Sequence, residues 1–272
     1  MAEAKRNHAL TDFAGAKVGK NIYIYNDFLQ IFFNFASEME KIRGIVIRIV
    51  KYSDKKQIVD MFTETRGRMS FVLPMKAKLS PLSILEFDIE IHPNKNLQSI
   101  TSLSAIAGQT VMHNLRLDPV KSIISMFVVE FLSNALREEG PNTPLYKYIE
   151  DSLLWLDTVE DHFANFHIVF LEHLTRFLGV MPNLDGYSPS AFFDLMDGSY
   201  KPRQPYHPYF LAPDEARTLP YLFHMDYSNL HHYPLSRHQR QRCLEVLNDY
   251  FMIHIPGFPR LKSLDVLRSL FE

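Results

Sequence analysis

Ile42-Arg43-Gly44-Ile45-Val46-Ile47-Arg48-Ile49-Val50-Lys51 is the stretch whose reading decides the fold. β-Branched residues crowd it. A period of two puts Ile45, Ile47 and Ile49 on one face and Val46, Arg48 and Val50 on the other, which predicts a strand. Outward from it, residues 57–64 form a second run, closed by Thr65-Arg66-Gly67, and residues 68–74 a third. Leu85, Phe87, Ile89 and Ile91 alternate with Glu86, Asp88 and Glu90, the pattern of a half-buried strand. A turn at Pro93-Asn94-Lys95-Asn96 leads to a fifth run, residues 97–103. Five short strands in about 65 residues suit a small barrel or sandwich, and a five-stranded OB-fold is one such solution.

Beyond the strands the period becomes helical. Asp118-Pro119 predicts a cap with proline at the first helical position. Ile123, Ile124, Phe127, Val128, Phe131, Leu132 and Ala135 then make a wide apolar stripe, stopped by Gly140-Pro141. Thr143-Pro144 repeats the start signal before Leu145, Ile149, Leu153 and Leu156. A third stripe runs through Phe163, Phe166, Phe170, Leu174 and Phe177. Residues 183–234 are irregular, with a hairpin expected around Asp197-Gly198. Ser236-x-x-Gln239 is a capping box that opens another helix. The expected class is therefore α+β: a barrel over residues 41–110, then a mainly helical domain over 115–272. Residues 1–40 lack clean periodicity and read as an extension outside the fold.

The chain has 272 residues, 46% of them hydrophobic, so a packed core is expected. Its single cysteine, Cys243, excludes an intrachain disulfide or a cysteine zinc site and reads as cytosolic. The apolar stretch at residues 22–35 is interrupted by Asn26, Asp27, Gln30 and Asn34, too polar to cross a membrane. The formal net charge of −2 hides an asymmetry. Residues 41–78 hold ten Lys/Arg against Asp54, Asp60 and Glu64, a net of +7, whereas residues 130–161 have a net of −6. A basic block beside an acidic one points to one part that meets polyanions. Ordinary solvated surface would produce the same counts.

The string Arg43-Gly44-Ile45-Val46-Ile47-Arg48, then Tyr52, then Asp60-x-x-Thr63-x-x-x-Gly67-Arg68, resembles the opening of the RecO family of bacterial DNA-repair proteins. Leu178-Gly179-Val180-Met181-Pro182, Phe193-Asp194 with Gly198, and Leu261-Lys262-Ser263 are similar to later segments of that family, above all of its Bacteroidetes branch. The resemblance covers residues 41–272. It implies an OB-fold and no enzymatic activity. It also implies binding of single- and double-stranded DNA, strand annealing, and help in loading recombinase together with RecR. A further implied partner is the acidic, apolar-ended C-terminal tail of single-strand-binding protein. Many relatives carry a four-cysteine zinc module; residues 183–204 have no cysteine, so neither zinc nor any other cofactor is expected.

With that resemblance, the basic block reads as DNA-binding through Lys41, Arg43, Arg48, Lys51, Lys55, Lys56, Arg66, Arg68, Lys76 and Lys78, because phosphate neutralisation dominates sequence-independent binding. Tyr52, Phe62 and Phe71 are candidates for base stacking, although Phe62 and Phe71 read better as core. The acidic face of Glu86, Asp88 and Glu90 should repel phosphate. Arg237 and Arg240 form a second basic group at a helix start, where cations oppose the dipole. For the tail, an apolar groove needs a cation at its rim, and Lys121 and Arg176 are the candidates. Catalytic motifs are absent. Gly15-Ala16-Lys17-Val18-Gly19-Lys20 has one residue too few for a phosphate-binding loop and Asn21 in place of Ser/Thr. The alternative to a DNA-binding mediator is a scaffold whose barrel docks proteins only.

Overall fold

A computed structural model describes residues 39–92, 95–100, 106–137 and 139–270. Most of the expected extension, with its Gly15–Lys20 string, lies outside the described residues, as do Pro93-Asn94 and residues 101–103. Met39 and Glu40, placed by the sequence outside the fold, are instead the first residues of strand β1, Met39–Lys51. The remaining strands of the sheet are β2 Lys56–Thr63, β3 Gly67–Pro74, β4 Ile84–Glu90, β5 Leu97–Ser99 and β6 Ile106–Thr110. Their order is β5-β3-β2-β1-β4-β6, with β3 and β5 parallel.

Six strands replace the expected five, and the sheet is not closed: the edge of β4 takes β6, and no pairing joins β4 to β5 among the described residues. The sequence hid β6 because Ile106-Ala107-Gly108-Gln109-Thr110 has no apolar alternation. The Gln98 side chain ties the two strand ends across the gap, bonding the backbone of His92 on both sides at 3.0 Å.

A bulge corrects the expected faces of β1. Val46 pairs with Met61 and Arg48 with Asp60, leaving Ile47 as an extra residue. Ile42 and Val46 face the sheet's own core with Met61, Phe71 and Phe87. Ile45 and Ile47 face the helices, and beyond the bulge Ile49 returns to the sheet's core. Phe71 meets Phe87 edge-on at 5.1 Å. Both Phe62 and Phe71 are fully buried, each stabilising the fold by roughly 1.5–3 kcal/mol.

The helices are α1 Asn114–Leu117, α2 Pro119–Ala135, α3 Thr143–Thr158, α4 Phe166–Phe177, α5 Pro213–Ala216, α6 Leu219–Leu222, α7 Arg237–His254 and α8 Ser263–Leu270. Asp118 caps α2 by accepting from Val120 and Lys121 N–H at 2.8 and 3.0 Å. Asn142, one residue before the expected Thr143, caps α3 through Leu145 N–H. The Ser236–Gln239 capping box forms on α7. Glu130 of α2 accepts from Lys262 and Ser263 N–H at 2.9 and 2.8 Å, which caps α8 and clamps it to α2. Strands β7 Phe192–Asp194 and β8 Ser199–Lys201 form the expected hairpin, with β9 Phe210–Leu211 on its other edge. Sheet and helices share one core, since Ile45, Ile47, Phe62, Leu82 and Ile84 pack with Phe127, Phe131 and Tyr146.

Candidate nucleic-acid interface

The ten cations of the basic block separate into two groups. At the β2–β3 end each has a carboxylate partner, Arg68 and Arg43 against the helices and Lys41, Arg48 and Arg66 still exposed. Arg68 is half-buried, donating to Asp60 at 3.0 Å and to the Ser133 carbonyl of α2 at 2.7 Å. Arg43 donates twice to Glu150 of α3, at 3.0 and 2.7 Å. Burial lowers the Arg43 guanidinium, but the bonds and charge of Glu150 outweigh it and hold the group above its ordinary range. Arg66 donates to Glu40 at 2.7 Å, and this bond raises it. Lys41 pairs with Glu86 at 2.5 Å, which raises the lysine and lowers the glutamate. Arg48 lies 3.7 Å from Asp60.

The turn between β2 and β3 explains why. Thr63 donates its hydroxyl to the Gly67 carbonyl at 2.7 Å, and Arg66 N–H returns a bond to that hydroxyl at 3.2 Å. Gly67 has a φ of +68°, and a Cβ there would lie 2.4 Å from the Gly140 backbone. The neighbouring Arg68 N–H reaches the Glu139 carbonyl at 3.1 Å, and Thr143 donates to the Glu64 carbonyl at 3.1 Å. The Asp60-x-x-Thr63-x-x-x-Gly67-Arg68 string therefore docks the sheet on the helices. Arg43 and Arg68, read from sequence as phosphate ligands, are placed between the two halves of the molecule.

At the opposite end the lysines are open. Residues 51–56, the end of β1 and its turn into β2, are all exposed, and Tyr52 shows 63% of its surface. Lys51 pairs only with exposed Asp54, at 2.9 Å. Lys56 stands opposite Pro74 in the β2–β3 register, and Met75 N–H donates to the Lys55 carbonyl at 2.9 Å. Buried Gln57 holds the loop after β3 by donating to the carbonyls of Pro74 and Ala77 at 3.3 and 2.7 Å. Lys76 and Lys78, both exposed, flank that Ala77. Two segments about twenty residues apart thus bring Lys51, Lys55, Lys56, Lys76 and Lys78 to one end of the sheet beside a solvent-facing tyrosine, an arrangement suited to phosphates and stacked bases.

The candidates on the helices also separate. Lys121 is 4% exposed. Its ammonium donates to the Asp157 carbonyl at 3.2 Å and to that of Val159, satisfying the end of α3, and lies 5.1 Å from the centre of the Phe163 ring. It is a structural cap and not a groove rim, which the helical stripe alone does not reveal. Arg176 is exposed at the last turn of α4, one turn from Glu172. The Glu172 carboxyl is buried with no hydrogen-bond partner, and burial pushes it up to about 8 against the opposing pull of Arg176. Glu172 lines a mainly apolar cavity of about 320 Å³ between α4, α6 and α7, with Leu219, Leu222, Leu235 and Leu247 in its walls; His238, Asp214 and the Arg242–Glu215 ion pair also line it. Sequence reading missed this cavity, because its walls come from three separate segments, 168–172, 211–223 and 235–247. Arg237 is exposed, and Arg240 is half-buried with a bond to the Leu235 carbonyl at 2.6 Å. Among the described residues no group of His, Cys, Asp and Glu has the arrangement of a metal site, and no helix is long and apolar enough to cross a membrane.

Comparison with known proteins agrees with this architecture. The family model described as Recombination protein O N terminal matches residues 38–109, and that described as Recombination protein O C terminal matches residues 116–265. The DNA repair protein RecO of Bacteroides fragilis is 41% identical over 244 residues, covering 86% of this chain and 100% of that protein. The DNA repair protein RecO of Phocaeicola vulgatus is 41% identical over 243 residues, with the same coverage. That of Porphyromonas gingivalis is 31% identical over 245 residues, covering 85% of this chain and 98% of the relative. Two family models that together span sheet and helices, and relatives matched along nearly their whole length, place the chain in the RecO family of DNA repair proteins.

Proposed function

We propose that this protein is a DNA-binding recombination mediator of DNA repair that grips single- and double-stranded DNA through the lysine end of its sheet. The observation that carries this reading is the convergence of the β1–β2 turn and the loop after β3, joined by the 2.9 Å bond from Met75 to Lys55. Lys51, Lys55, Lys56, Lys76 and Lys78 neutralise phosphates, and Tyr52 offers a face for a base. Mediation needs no catalytic step of its own: holding two strands in one polycation's field promotes annealing, and binding beside RecR assists recombinase loading. The acidic tail of single-strand-binding protein is seated in the apolar cavity between α4, α6 and α7, with Arg176 as the nearby cation. At neutral pH the buried Glu172 is protonated and adds no repulsive charge to that seat.

A salt series of DNA binding tests the first claim. Affinity should fall linearly on logarithmic axes, with a slope near −0.7 per phosphate contacted on single strands. A flat salt response would favour the rival, a scaffold whose sheet docks proteins only. Titration of a labelled tail peptide against wild type and Arg176→Glu tests the second claim, and equal affinity for both would reject this seat.

A further inference from the structure

Glu172 on α4 is 2% exposed, and neither of its carboxyl oxygens has a hydrogen-bond partner. Asp60, Glu150 and Asp194, the other buried acids among the described residues, are all bonded, to Arg68, to Arg43 and to the Met196 N–H. An unpartnered carboxyl in an apolar wall costs free energy, and far more when ionised, so Glu172 keeps its proton at physiological pH. It then carries an O–H with nothing to donate to. Of the other acids lining the cavity, Glu215 gives its two oxygens to Arg242 at 2.6 and 3.0 Å, and Asp214 is exposed.

The rest of the wall is mainly apolar, with Leu219, Leu222, Leu235 and Leu247, and about 320 Å³ is room for the end of a peptide. An occupant that completes the site therefore brings an apolar body with a hydrogen-bond acceptor beside it. The free carboxylate of a chain end is the strongest acceptor a peptide offers, because an O–H bond to an ionised oxygen is roughly twice as strong as a neutral one. An amine or guanidinium would need Glu172 ionised, which burial opposes.

We infer that Glu172 is the residue that recognises the chain end: as a neutral acid it donates its O–H to the terminal carboxylate of an apolar last residue whose side chain fills the cavity. Loss of the proton turns the same group into a buried anion that repels the carboxylate, so the seat senses pH. This rests on the cavity being the seat of the tail of single-strand-binding protein. The groups that face Glu172 set where the change falls. Burial lifts it to about 8, against the pull of Arg176 on its own helix. Tyr148 of α3 and Tyr227, which feel its charge, are themselves held above their ordinary range by burial. On the cavity side stand Asp214 and Glu215 of α5 and Tyr221 of α6. Helix α7 adds His238, Arg242 and Cys243, whose thiol burial pushes up to about 11. Glu172 is protonated below about 8 and ionised above it, so tail affinity is full at neutral pH and falls by about tenfold for each further pH unit.

The full chain is titrated with a labelled acidic peptide that ends in phenylalanine with a free carboxylate, by fluorescence anisotropy at about pH 7 and about pH 9.5. Wild type should bind about 30-fold more weakly at the higher pH. The same peptide closed by a terminal amide should bind about tenfold or more weakly at the lower pH and lose most of the pH dependence. Glu172→Gln keeps a donor and has no proton to lose, so its affinity should stay within about threefold of wild type at the lower pH and change little on raising it. Glu172→Leu has no donor and should weaken binding by about tenfold or more at the lower pH. Neither variant should melt below wild type, since no hydrogen bond of the folded chain is removed. Equal wild-type affinity at both pH values, or wild-type affinity in Glu172→Leu, overturns the role of Glu172; the seat itself then stands if Arg176→Glu still weakens the tail. A pH dependence that persists in Glu172→Gln belongs to His238 or Cys243 and also overturns it. Failure of wild type to bind the peptide at about pH 7 overturns the seat and this inference together.

Discussion

The two ends of the sheet carry similar numbers of cations and put them to opposite uses. At the β2–β3 end, Arg43 and Arg68 are matched to Glu150 and Asp60 and bridge the sheet to α3 and α2. At the β1–β2 end, Lys55, Lys56, Lys76 and Lys78 stand in no ion pair with the described residues, and Lys51 has only an exposed partner. The side-chain chemistry fits this division. A planar guanidinium satisfies a buried carboxylate and a carbonyl at once, whereas a hydrated ammonium on a flexible stem stays in solvent and trades small ions for phosphates. Positive charge in a sequence is thus no measure of positive potential on the surface; what counts is which cations fold beside an acid.

Four variants break or sharpen this contrast. Arg68→Ala has the largest expected effect. It leaves buried Asp60 with only the Ser70 hydroxyl at 2.7 Å and Arg48 at 3.7 Å, and it strips the Ser133 carbonyl of its donor, so it should cost about 3 kcal/mol of stability by denaturant unfolding, with the salt slope of DNA binding unchanged below the transition. A slope that flattens with Arg68 would mean the docked end also meets DNA. Lys55→Ala with Lys56→Ala should do the reverse, reducing the salt slope on single strands by about 1.4 while stability moves by less than about 0.5 kcal/mol. Tyr52→Ala should weaken single-stranded binding by about 1–3 kcal/mol with the salt slope intact, which a fluorescence anisotropy titration at two salt concentrations resolves. Glu40→Gln removes an exposed partner of Arg66 and should cost at most about 1 kcal/mol in thermal unfolding. If it also strengthens DNA binding, the freed Arg66 belongs to the interface after all.

Much of this was legible in the residues. Alternation along residues 42–91 and the caps at Asp118 and Ser236 report local geometry, and local geometry is written in neighbouring side chains. Core assignment of Phe62 and Phe71 was equally readable, because large aromatics seldom stay in water. Less readable was the bulge at Ile47, which reverses the faces of β1 without leaving a mark on a strand of isoleucines and valines. The same holds for Lys121, whose ammonium lies over an aromatic ring against two carbonyls that come 36 and 38 residues later.

By itself, the sequence determined the α+β class, the order of most strands and helices, the family, and the existence of a basic block, since each depends on composition, period or short motifs. Only the tertiary structure decided which cations are available. Electrostatic pairing acts over a few ångströms in space, and the partners that consume Arg43 and Arg68 are Glu150, 107 residues away, and the Ser133 carbonyl, 65 residues away. The lysines at the other end converge because Gln57 and Lys55 hold the loop after β3, contacts made by strand register and backbone bonds that no charge count contains.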